Sequence, residues 1–201
     1  MYKASNTTEL ILVRHGETLL KDALLGRTDA PLSIQGRETI NNVANRLAGE
    51  RLCAIYSSDL RRACQSAEII AHGRNLPIVE VPALREMNMG RWDGRSFGEI
   101  MQSEPEALGR FWSDVENQRA PAGESLSDLK GRVLPCLKEI VKRHVGERIC
   151  VVAHGGVNRV ILFEALGLSL ANYYSVEQKY GALNRIRYFG DGNSLVALVN
   201  G

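Results

Sequence analysis

Short apolar runs alternate with amphipathic helical segments along most of this 201-residue chain. Strands are predicted at residues 10–13, 52–56, 77–81, 149–153, 184–189 and 195–199. Helical spacing of apolar residues is present in 34–47, 59–71, 96–117, 125–144 and 157–166. Strands that alternate with helices are typical of a sheet covered on both faces. We therefore predict an α/β fold, with three α/β/α layers around a mostly parallel central sheet.

The chain shows no internal repeat, low-complexity tract or linker that would divide it. A chain of about 150 to 250 residues can bury one complete hydrophobic core. A single domain over residues 1–201 is therefore expected. Within it, residues 96–124 have weak periodicity and a helix break near Pro105, and we expect this segment to form a helical lid that sets specificity.

Composition narrows the range of functions. The formal net charge of +2 is small and the charges are interspersed, so neither nucleic acid nor a membrane is expected as a partner. The first 13 residues contain an apolar run of only four, which is too short for the core of a signal peptide. The four scattered cysteines are expected to be reduced thiols, and a cytoplasmic protein is predicted.

Two apolar strands that lie far apart in sequence both end in His-Gly. They read LILVRHGET at 10–18 and ICVVAHGG at 149–156. In open α/β sheets, ligands bind beyond the carboxyl ends of the strands. Arg14, His15 and His154 are therefore predicted to meet at one edge of the sheet, together with Arg62 from the polar segment after the second strand.

Such a cluster would suit a phosphate dianion, because guanidinium groups grip phosphate oxygens in a fork. A neutral imidazole at its centre, His15, can act as a nucleophile toward phosphorus. Nearby cations disfavour protonation of that imidazole and keep its lone pair free. Two guanidiniums, from Arg14 and Arg62, and an imidazolium, from His154, would then stabilise the charge on the phosphoryl oxygens.

Phosphoryl transfer also needs an acid for the leaving alkoxide. Glu86 is the predicted acid, because a carboxyl beside a phosphate dianion is expected to keep the proton that it must donate. Glu17 and Glu124 are the alternatives. After the leaving group departs, the same carboxylate could activate water to hydrolyse the phosphohistidine. This scheme requires no metal and no cofactor.

Five motifs occur in a fixed order along the chain: VRHGET, GRTDAPLSIQG, YSSDLRRACQSA, LREMNMGRWDG and VVAHGG. The ordered set resembles the histidine phosphatase (phosphoglycerate mutase-like) superfamily. That resemblance implies the phosphoglycerate mutase-like fold and an enzyme that forms a phosphohistidine intermediate.

Carried over residue by residue, the resemblance implies that His15 is the phosphorylated nucleophile and Glu86 the proton donor. The residues that correspond to phosphate-binding partners are Arg14, Arg62 and His154. The residues that correspond to secondary contacts are Thr18, Gly26 and Gly155. Lys21 stands where the family often has asparagine, and it could supply a point charge to the phosphate instead.

A looser resemblance to the alpha-ribazole phosphatase branch of cobalamin assembly is carried by LREMNMGRWDG, the segment 100–114 and YGALNRI. It implies a phosphomonoesterase acting on a small phosphorylated metabolite, with alpha-ribazole 5'-phosphate as the predicted substrate. A broad-specificity phosphatase, a phosphoglycerate mutase and an inactive module that binds phosphorylated ligands are the alternatives. Whether the chain is a monomer or a homodimer is left open.

The two other histidines are predicted to be structural, because His72 and His144 fall at the ends of predicted helices. No pair of histidines or cysteines has metal-ligand spacing on a single element, so no metal site is expected. Trp92 and Trp112 are predicted to serve packing and the lid.

Overall fold

A computed structural model describes residues 6–201, and this part of the chain forms six strands and six α-helices. The strands are β1 (Thr7–Arg14), β2 (Ala54–Ser57), β3 (Ile78–Glu80), β4 (Arg148–Ala153), β5 (Leu183–Phe189) and β6 (Ser194–Leu198). The helices are α1 (Ile34–Arg46), α2 (Arg61–Ala71), α3 (Phe97–Ser103), α4 (Pro105–Ser113), α5 (Leu126–Arg143) and α6 (Gly155–Leu166). The prediction about the N-terminal segment falls partly on residues 1–5, which lie outside the described residues. None of the helices in 6–201 is long and apolar enough to cross a membrane.

The six strands form one sheet in the order β3-β2-β4-β1-β5-β6. Strands β3, β2, β4 and β1 pair in parallel, whereas β5 pairs antiparallel with both β1 and β6. The register of β1 on β4 runs from Glu9 opposite Arg148 to Arg14 opposite Ala153. The two strands therefore end at the same level, and the residues that follow them are neighbours.

Successive residues of β1 point into two different hydrophobic cores. Leu10 and Leu12 pack in the core that contains the apolar faces of α5 and α6. Ile11 and Val13 pack in the core that contains those of α1 and α2. Because both faces of the sheet are covered, the predicted three-layer α/β/α architecture with a mostly parallel sheet is confirmed.

Local sequence signals set the helix starts. Ser33 caps α1, because its hydroxyl accepts a hydrogen bond from the Gly36 amide at 2.9 Å. Helices α3 and α5 each begin with a serine capping box. Helix α6 begins at Gly155, two residues earlier than predicted, since His154 is extended and occupies the N-cap position.

The predicted lid segment contains α3 and α4, and the helix break expected near Pro105 is present at Glu104. The rings of Phe97 and Trp112 stack with centroids 4.9 Å apart and planes at 25°. Trp92 is fully buried and meets another lid ring, Phe111, edge to face. One aromatic contact therefore joins α3 to α4, and another joins α4 to the segment that precedes α3.

Gly36 is expected to be required for the packing of α1 against the chain that follows β1. An added Cβ there would lie 2.0 Å from the carbonyl oxygen of Glu17. Gly36→Ala should therefore lower the free energy of unfolding by about 1–3 kcal/mol, the usual cost of overpacking. Urea denaturation measures this change.

Gly131, in α5, provides the matched control, because an added Cβ there meets no atom within 4 Å beyond the backbone of its own helix. Gly131→Ala should raise the free energy of unfolding by roughly 0.5–1 kcal/mol through helix propensity. Equal effects of the two substitutions would contradict the packing account.

Candidate active site

The adjacent ends of β1 and β4 bring His15 and His154 together. The His15 amide donates to the carbonyl of Ala153 at 3.0 Å, which extends the parallel ladder by one residue. The two imidazole centroids lie 5.0 Å apart with planes at 61°. His15 is 4% exposed and His154 is fully buried. The structure thus places the two His-Gly motifs in direct contact.

The hydrogen bonding of His15 defines its tautomer. Its Nδ1 lies 2.7 Å from the carbonyl oxygen of Gly16. A carbonyl oxygen can only accept, so Nδ1 carries the proton and the lone pair is on Nε2. Burial, followed by the charges of Arg14 and Arg62, holds the pKa of His15 well below its usual 6.5. His15 is therefore a neutral imidazole with one nitrogen free to react.

Arg14 lies beside this imidazole and is itself largely buried. Its Nη1 donates to the Gln178 carbonyl at 2.5 Å, and its guanidinium carbon lies 4.0 Å from the centre of the Tyr180 ring. Its Nε is buried without a hydrogen-bond partner among residues 6–201. Buried donors are normally satisfied, so this atom points to an acceptor that a bound anion would supply.

Arg62 lies fully buried beneath the two histidines and does not line the cavity. Its Nη groups donate to carbonyls of the 25–28 loop, and its Nε donates to Nδ1 of His154 at 3.3 Å. Because that nitrogen accepts, Nε2 of His154 carries the proton, which it donates to the Ser58 hydroxyl at 2.8 Å. Burial, followed by the charge of Arg62, holds the pKa of His154 well below 6.5, so His154 is a neutral imidazole and not the predicted imidazolium.

Glu86 lines the same cavity as Arg14 and His15. Its carboxylate accepts hydrogen bonds from the amides of Met87 at 2.8 Å and Gly156 at 2.9 Å. A Cβ at Gly156 would lie 2.3 Å from a carboxylate oxygen, so a glycine is needed for this approach. The first turn of α6 therefore holds the carboxyl group in the site.

The two alternative acids have other partners. Glu17 accepts from the Ser33 hydroxyl at 2.8 Å and so supports the start of α1. Glu124 pairs with Arg132 at 2.9 Å. Burial by itself would raise the pKa of Glu124, but the hydrogen bonds from Arg132 and a backbone amide outweigh it and lower the pKa. Of the three carboxyl groups, Glu86 is the one that lines the cavity.

Two of the predicted secondary contacts lie away from the cavity. The Thr18 hydroxyl is buried and donates to the Leu20 carbonyl at 2.9 Å. The side chain of Lys21 is 66% exposed and lies 3.7 Å from Glu17. The Lys21 ammonium group therefore faces solvent. It does not replace the phosphate contact suggested for the asparagine that the family often has at this position.

The two predicted glycines have different positions. Gly26 lies next to the site rather than in it, and its carbonyl accepts from Arg62 at 2.9 Å. Gly155 does line the cavity, where an added Cβ would lie 3.4 Å from Nε of Arg14. Gly26 thus supports the site through its hydrogen bond with Arg62. Gly155 leaves space next to the Nε of Arg14, which has no hydrogen-bond partner among residues 6–201.

Two supporting residues were not predicted from the sequence. The Asp93 carboxylate accepts hydrogen bonds from the backbone amides of residues 26–28. It thereby holds in place the loop whose carbonyls bind Arg62. Arg132, from α5, donates to three carbonyls in the segment 83–86 and thereby positions the backbone of Glu86. Asp93 lies in the LREMNMGRWDG motif, which was the available signal for its importance.

The cavity has a volume of about 690 Å³ and two chemically different ends. Arg14, His15 and Glu86 line one end. The other end is apolar and largely aromatic, with walls from Leu24, Met89, Phe97, Phe111, Trp112 and Tyr174. The site can therefore accept a charged group at His15 and a less polar group against the apolar walls.

Arg159 adds a second cation to the charged end and was not predicted. Its Nε donates to the Val176 carbonyl at 2.7 Å, and its guanidinium carbon lies 5.1 Å from the centre of the Tyr173 ring. Burial, followed by the charge of Glu86, raises the pKa of Tyr173. Arg159 follows Gly155 by one helical turn, and that spacing was the signal that could have placed it on this face.

Comparisons with known proteins identify the family of this chain. A family model of the histidine phosphatase superfamily (branch 1) matches residues 10–201. The metal-independent phosphoserine phosphatase of Arabidopsis thaliana is 41% identical over 162 residues, which cover 78% of this chain and 68% of that protein.

Solved structures show the same fold over nearly the whole chain. YhfR of Bacillus stearothermophilus has a TM-score of 0.89 and 34% identity, with 95% of this chain and 96% of that one covered. The alpha-ribazole phosphatase of Shigella flexneri has a TM-score of 0.87 and 25% identity, with 96% of each chain covered. The chain therefore belongs to the histidine phosphatase superfamily, as its five ordered motifs predicted, and is a phosphatase.

Proposed function

We propose that this phosphatase hydrolyses a small phosphomonoester through a phosphorylated His15, without a metal cofactor. The observation that supports this most strongly is a neutral His15 with a free Nε2, in a cavity shared with Arg14 and Glu86. The unpartnered Nε of Arg14 is available for a phosphate oxygen. Arg62 and His154 form a second layer beneath these groups, where Arg62 adds positive charge and its hydrogen bond to the neutral His154 adds rigidity.

In the first step, Nε2 of His15 attacks phosphorus and the bond from phosphorus to the ester oxygen breaks. Arg14 stabilises the negative charge on the phosphoryl oxygens at closest range, and Arg62 contributes through the field of a buried cation. Glu86 donates its proton to the departing alkoxide. The Gly16 carbonyl keeps the proton on Nδ1 of His15 throughout.

In the second step, the Glu86 carboxylate takes a proton from a water molecule whose oxygen attacks phosphorus. The bond between phosphorus and Nε2 of His15 breaks. Inorganic phosphate leaves, and the imidazole returns to its neutral form. Glu86 is then protonated again and ready for the next substrate.

The shape of the cavity supports a substrate whose leaving group is flat and largely apolar. Phe97, Phe111 and Trp112 give the cavity an aromatic wall. Alpha-ribazole 5'-phosphate carries an aromatic base and belongs to this class, and it is our first proposed substrate. The structural similarity to the Shigella flexneri alpha-ribazole phosphatase supports the choice.

Phosphoserine is the second proposed substrate. Arg159 presents a guanidinium group to the charged end of the cavity, where it could pair with a substrate carboxylate. The Arabidopsis relative is named a phosphoserine phosphatase. Phosphoserine would use Arg159 and leave the aromatic wall largely without contact, so the two candidates depend on different residues.

The roles of His15 and Glu86 predict different losses of activity. His15→Ala should abolish hydrolysis of every phosphomonoester, whereas Glu86→Gln should lower kcat/KM for an alkyl phosphate by about 10²- to 10⁴-fold. The loss with p-nitrophenyl phosphate should be much smaller, because nitrophenolate departs without an acid. Assays with and without EDTA should agree. Residual activity in His15→Ala, or equal losses for the two leaving groups in Glu86→Gln, would contradict the mechanism.

The nature of the products separates hydrolysis from the two alternative functions. Incubation with 3-phosphoglycerate should give at most slow release of inorganic phosphate. Rapid formation of 2-phosphoglycerate without phosphate release would identify a mutase. Binding of phosphorylated ligands without any turnover would identify an inactive binding module.

Two substitutions distinguish the proposed substrates. Trp112→Ala should lower kcat/KM for alpha-ribazole 5'-phosphate by about tenfold, because an aromatic contact is lost, and should leave phosphoserine nearly unaffected. Arg159→Ala should lower kcat/KM for phosphoserine by about ten- to a hundredfold, because a charge-assisted hydrogen bond is lost. The substrate that the wild-type protein hydrolyses with the higher kcat/KM should show the loss predicted for it and no loss in the other variant. Unchanged values for both substrates in both variants would contradict this assignment of the cavity.

The neutral histidines also predict how stability depends on pH. His15 and His154 have pKa values well below 6.5 when folded, so at pH values just under 6.5 the unfolded chain binds protons that the native protein does not. Stability should therefore fall as the pH falls below about 6.5, by up to about 1.4 kcal/mol per pH unit for each histidine. His15→Ala should remove one such contribution from the slope measured by urea unfolding. His72→Ala, which removes an exposed histidine, is the matched control, and an equally reduced slope there would contradict the account.

A further inference from the structure

Three metal-binding side chains meet at the edge of the sheet opposite the active site, among the residues that the structure describes. Cys53 directly precedes β2, Glu147 directly precedes β4, and His144 is the C-cap residue of α5. The active site follows the other ends of these strands. Since β4 has six residues at about 3.3 Å each, the two locations are separated by roughly 20 Å.

The three ligand atoms are already close to the spacing of a metal site. The Cys53 Sγ lies 3.1 Å from Oε2 of Glu147 and 3.5 Å from Nδ1 of His144, and that nitrogen lies 2.6 Å from the same carboxylate oxygen. Zinc bonds of about 2.0–2.3 Å in a tetrahedron separate ligand atoms by roughly 3.3–3.8 Å. A small outward movement of Glu147, whose side chain is 48% exposed, would therefore make room for an ion.

The arrangement differs from a cysteine nucleophile with a histidine base. In such a triad, the nucleophile and the acid lie at opposite nitrogens of the imidazole. Here Cys53 and Glu147 both approach Nδ1 of His144, while Nε2 lies 2.8 Å from the Tyr56 hydroxyl. A metal-binding histidine typically has its second nitrogen held by another protein group, and Tyr56 occupies that position.

Backbone hydrogen bonds hold the three residues in place without any ion. The Glu147 amide donates to the His144 carbonyl at 3.0 Å, and the Cys53 amide donates to the Arg148 carbonyl at 2.9 Å. The Thr8 hydroxyl donates to the His144 carbonyl at 3.0 Å. Binding would therefore require side-chain adjustment only.

We propose that Cys53, His144 and Glu147 bind one Zn²⁺ ion, with water at the remaining coordination position. A set of sulfur, nitrogen and oxygen ligands suits this borderline-soft cation better than Mg²⁺ or Ca²⁺. The ion reaches the site from a surface cavity that Cys53 and Glu147 line. It joins the start of β2 to the turn between α5 and β4, and it takes no part in the hydrolysis at His15.

Cobalt substitution tests the site directly. The full-length protein, freed of metal with EDTA and then dialysed, is titrated with Co²⁺, which reports thiolate ligation by a near-ultraviolet charge-transfer band and tetrahedral geometry by strong visible absorption. We expect both signals to saturate at one ion per chain and to disappear when Zn²⁺ is added. Cys53→Ser should abolish the charge-transfer band. Cys136→Ser and His72→Gln, which remove the same kinds of side chain elsewhere, should retain both signals.

Absence of the signals in the wild-type protein, or their survival in Cys53→Ser, would overturn the proposal. Hydrolysis of an aryl phosphate at the wild-type rate shows that each variant is folded. If Cys53→Ser does not fold, alkylation of the wild-type protein by iodoacetamide provides a second test. One equivalent of Zn²⁺ should slow modification of Cys53 by about tenfold, because a metal-bound thiolate is protected, and an unchanged rate would equally overturn the site.

Discussion

The parallel pairing of β1 with β4 is the constraint on which the active site depends. Its register places Arg14 opposite Ala153, so that His15 and His154 follow the two strands side by side. The register is set by burial, because β1 residues alternate between two cores. A slip of one residue would send each β1 side chain into the opposite core, whose packing it does not match, and would separate the two imidazoles by about 3.3 Å more.

Given that register, the chemistry follows from where the cations are buried. Arg14 and Arg62 are both removed from water next to imidazoles that remain neutral. Carbonyl oxygens of the 25–28 loop and the ring of Tyr180 partly compensate the two guanidinium groups. A bound phosphate dianion would compensate the remaining positive charge of the two guanidinium groups. The site is therefore suited to a phosphate group, and the same cations help to keep His15 neutral.

The helices and strands of the fold could largely be predicted from hydrophobic periodicity, but the residues at which they begin and end could not. Strand β1 begins at Thr7, three residues before the apolar run, because the polar residues there pair with β5. The meeting of His15 and His154 followed from topology, since parallel strands end at one edge. The hydrogen-bond partners of Arg62 could not be predicted in this way. They are backbone carbonyls of a loop, and backbone carbonyls leave no pattern in the sequence.

Contacts between distant segments were the least predictable. The sequence argument against a metal site considered histidine and cysteine pairs on one element. Cys53 and His144 are 91 residues apart, and the third member, Glu147, is a surface carboxylate without any distinguishing spacing. Arg132 and Asp93 act through the backbone of the segments that they hold, so their contacts are likewise visible only in three dimensions, although a sequence motif contains Asp93.

The central claim is that His15 carries the phosphoryl group during turnover. Rapid mixing of Glu86→Gln with p-nitrophenyl phosphate, followed by denaturation and peptide mass spectrometry, tests it most directly. The good leaving group allows the first step, while loss of the carboxylate slows the attack of water, so a phosphorylated His15 should accumulate to near one equivalent with a matching burst of nitrophenolate. A burst with the phosphoryl group on another residue, or continued turnover with no phosphorylated protein, would contradict the account.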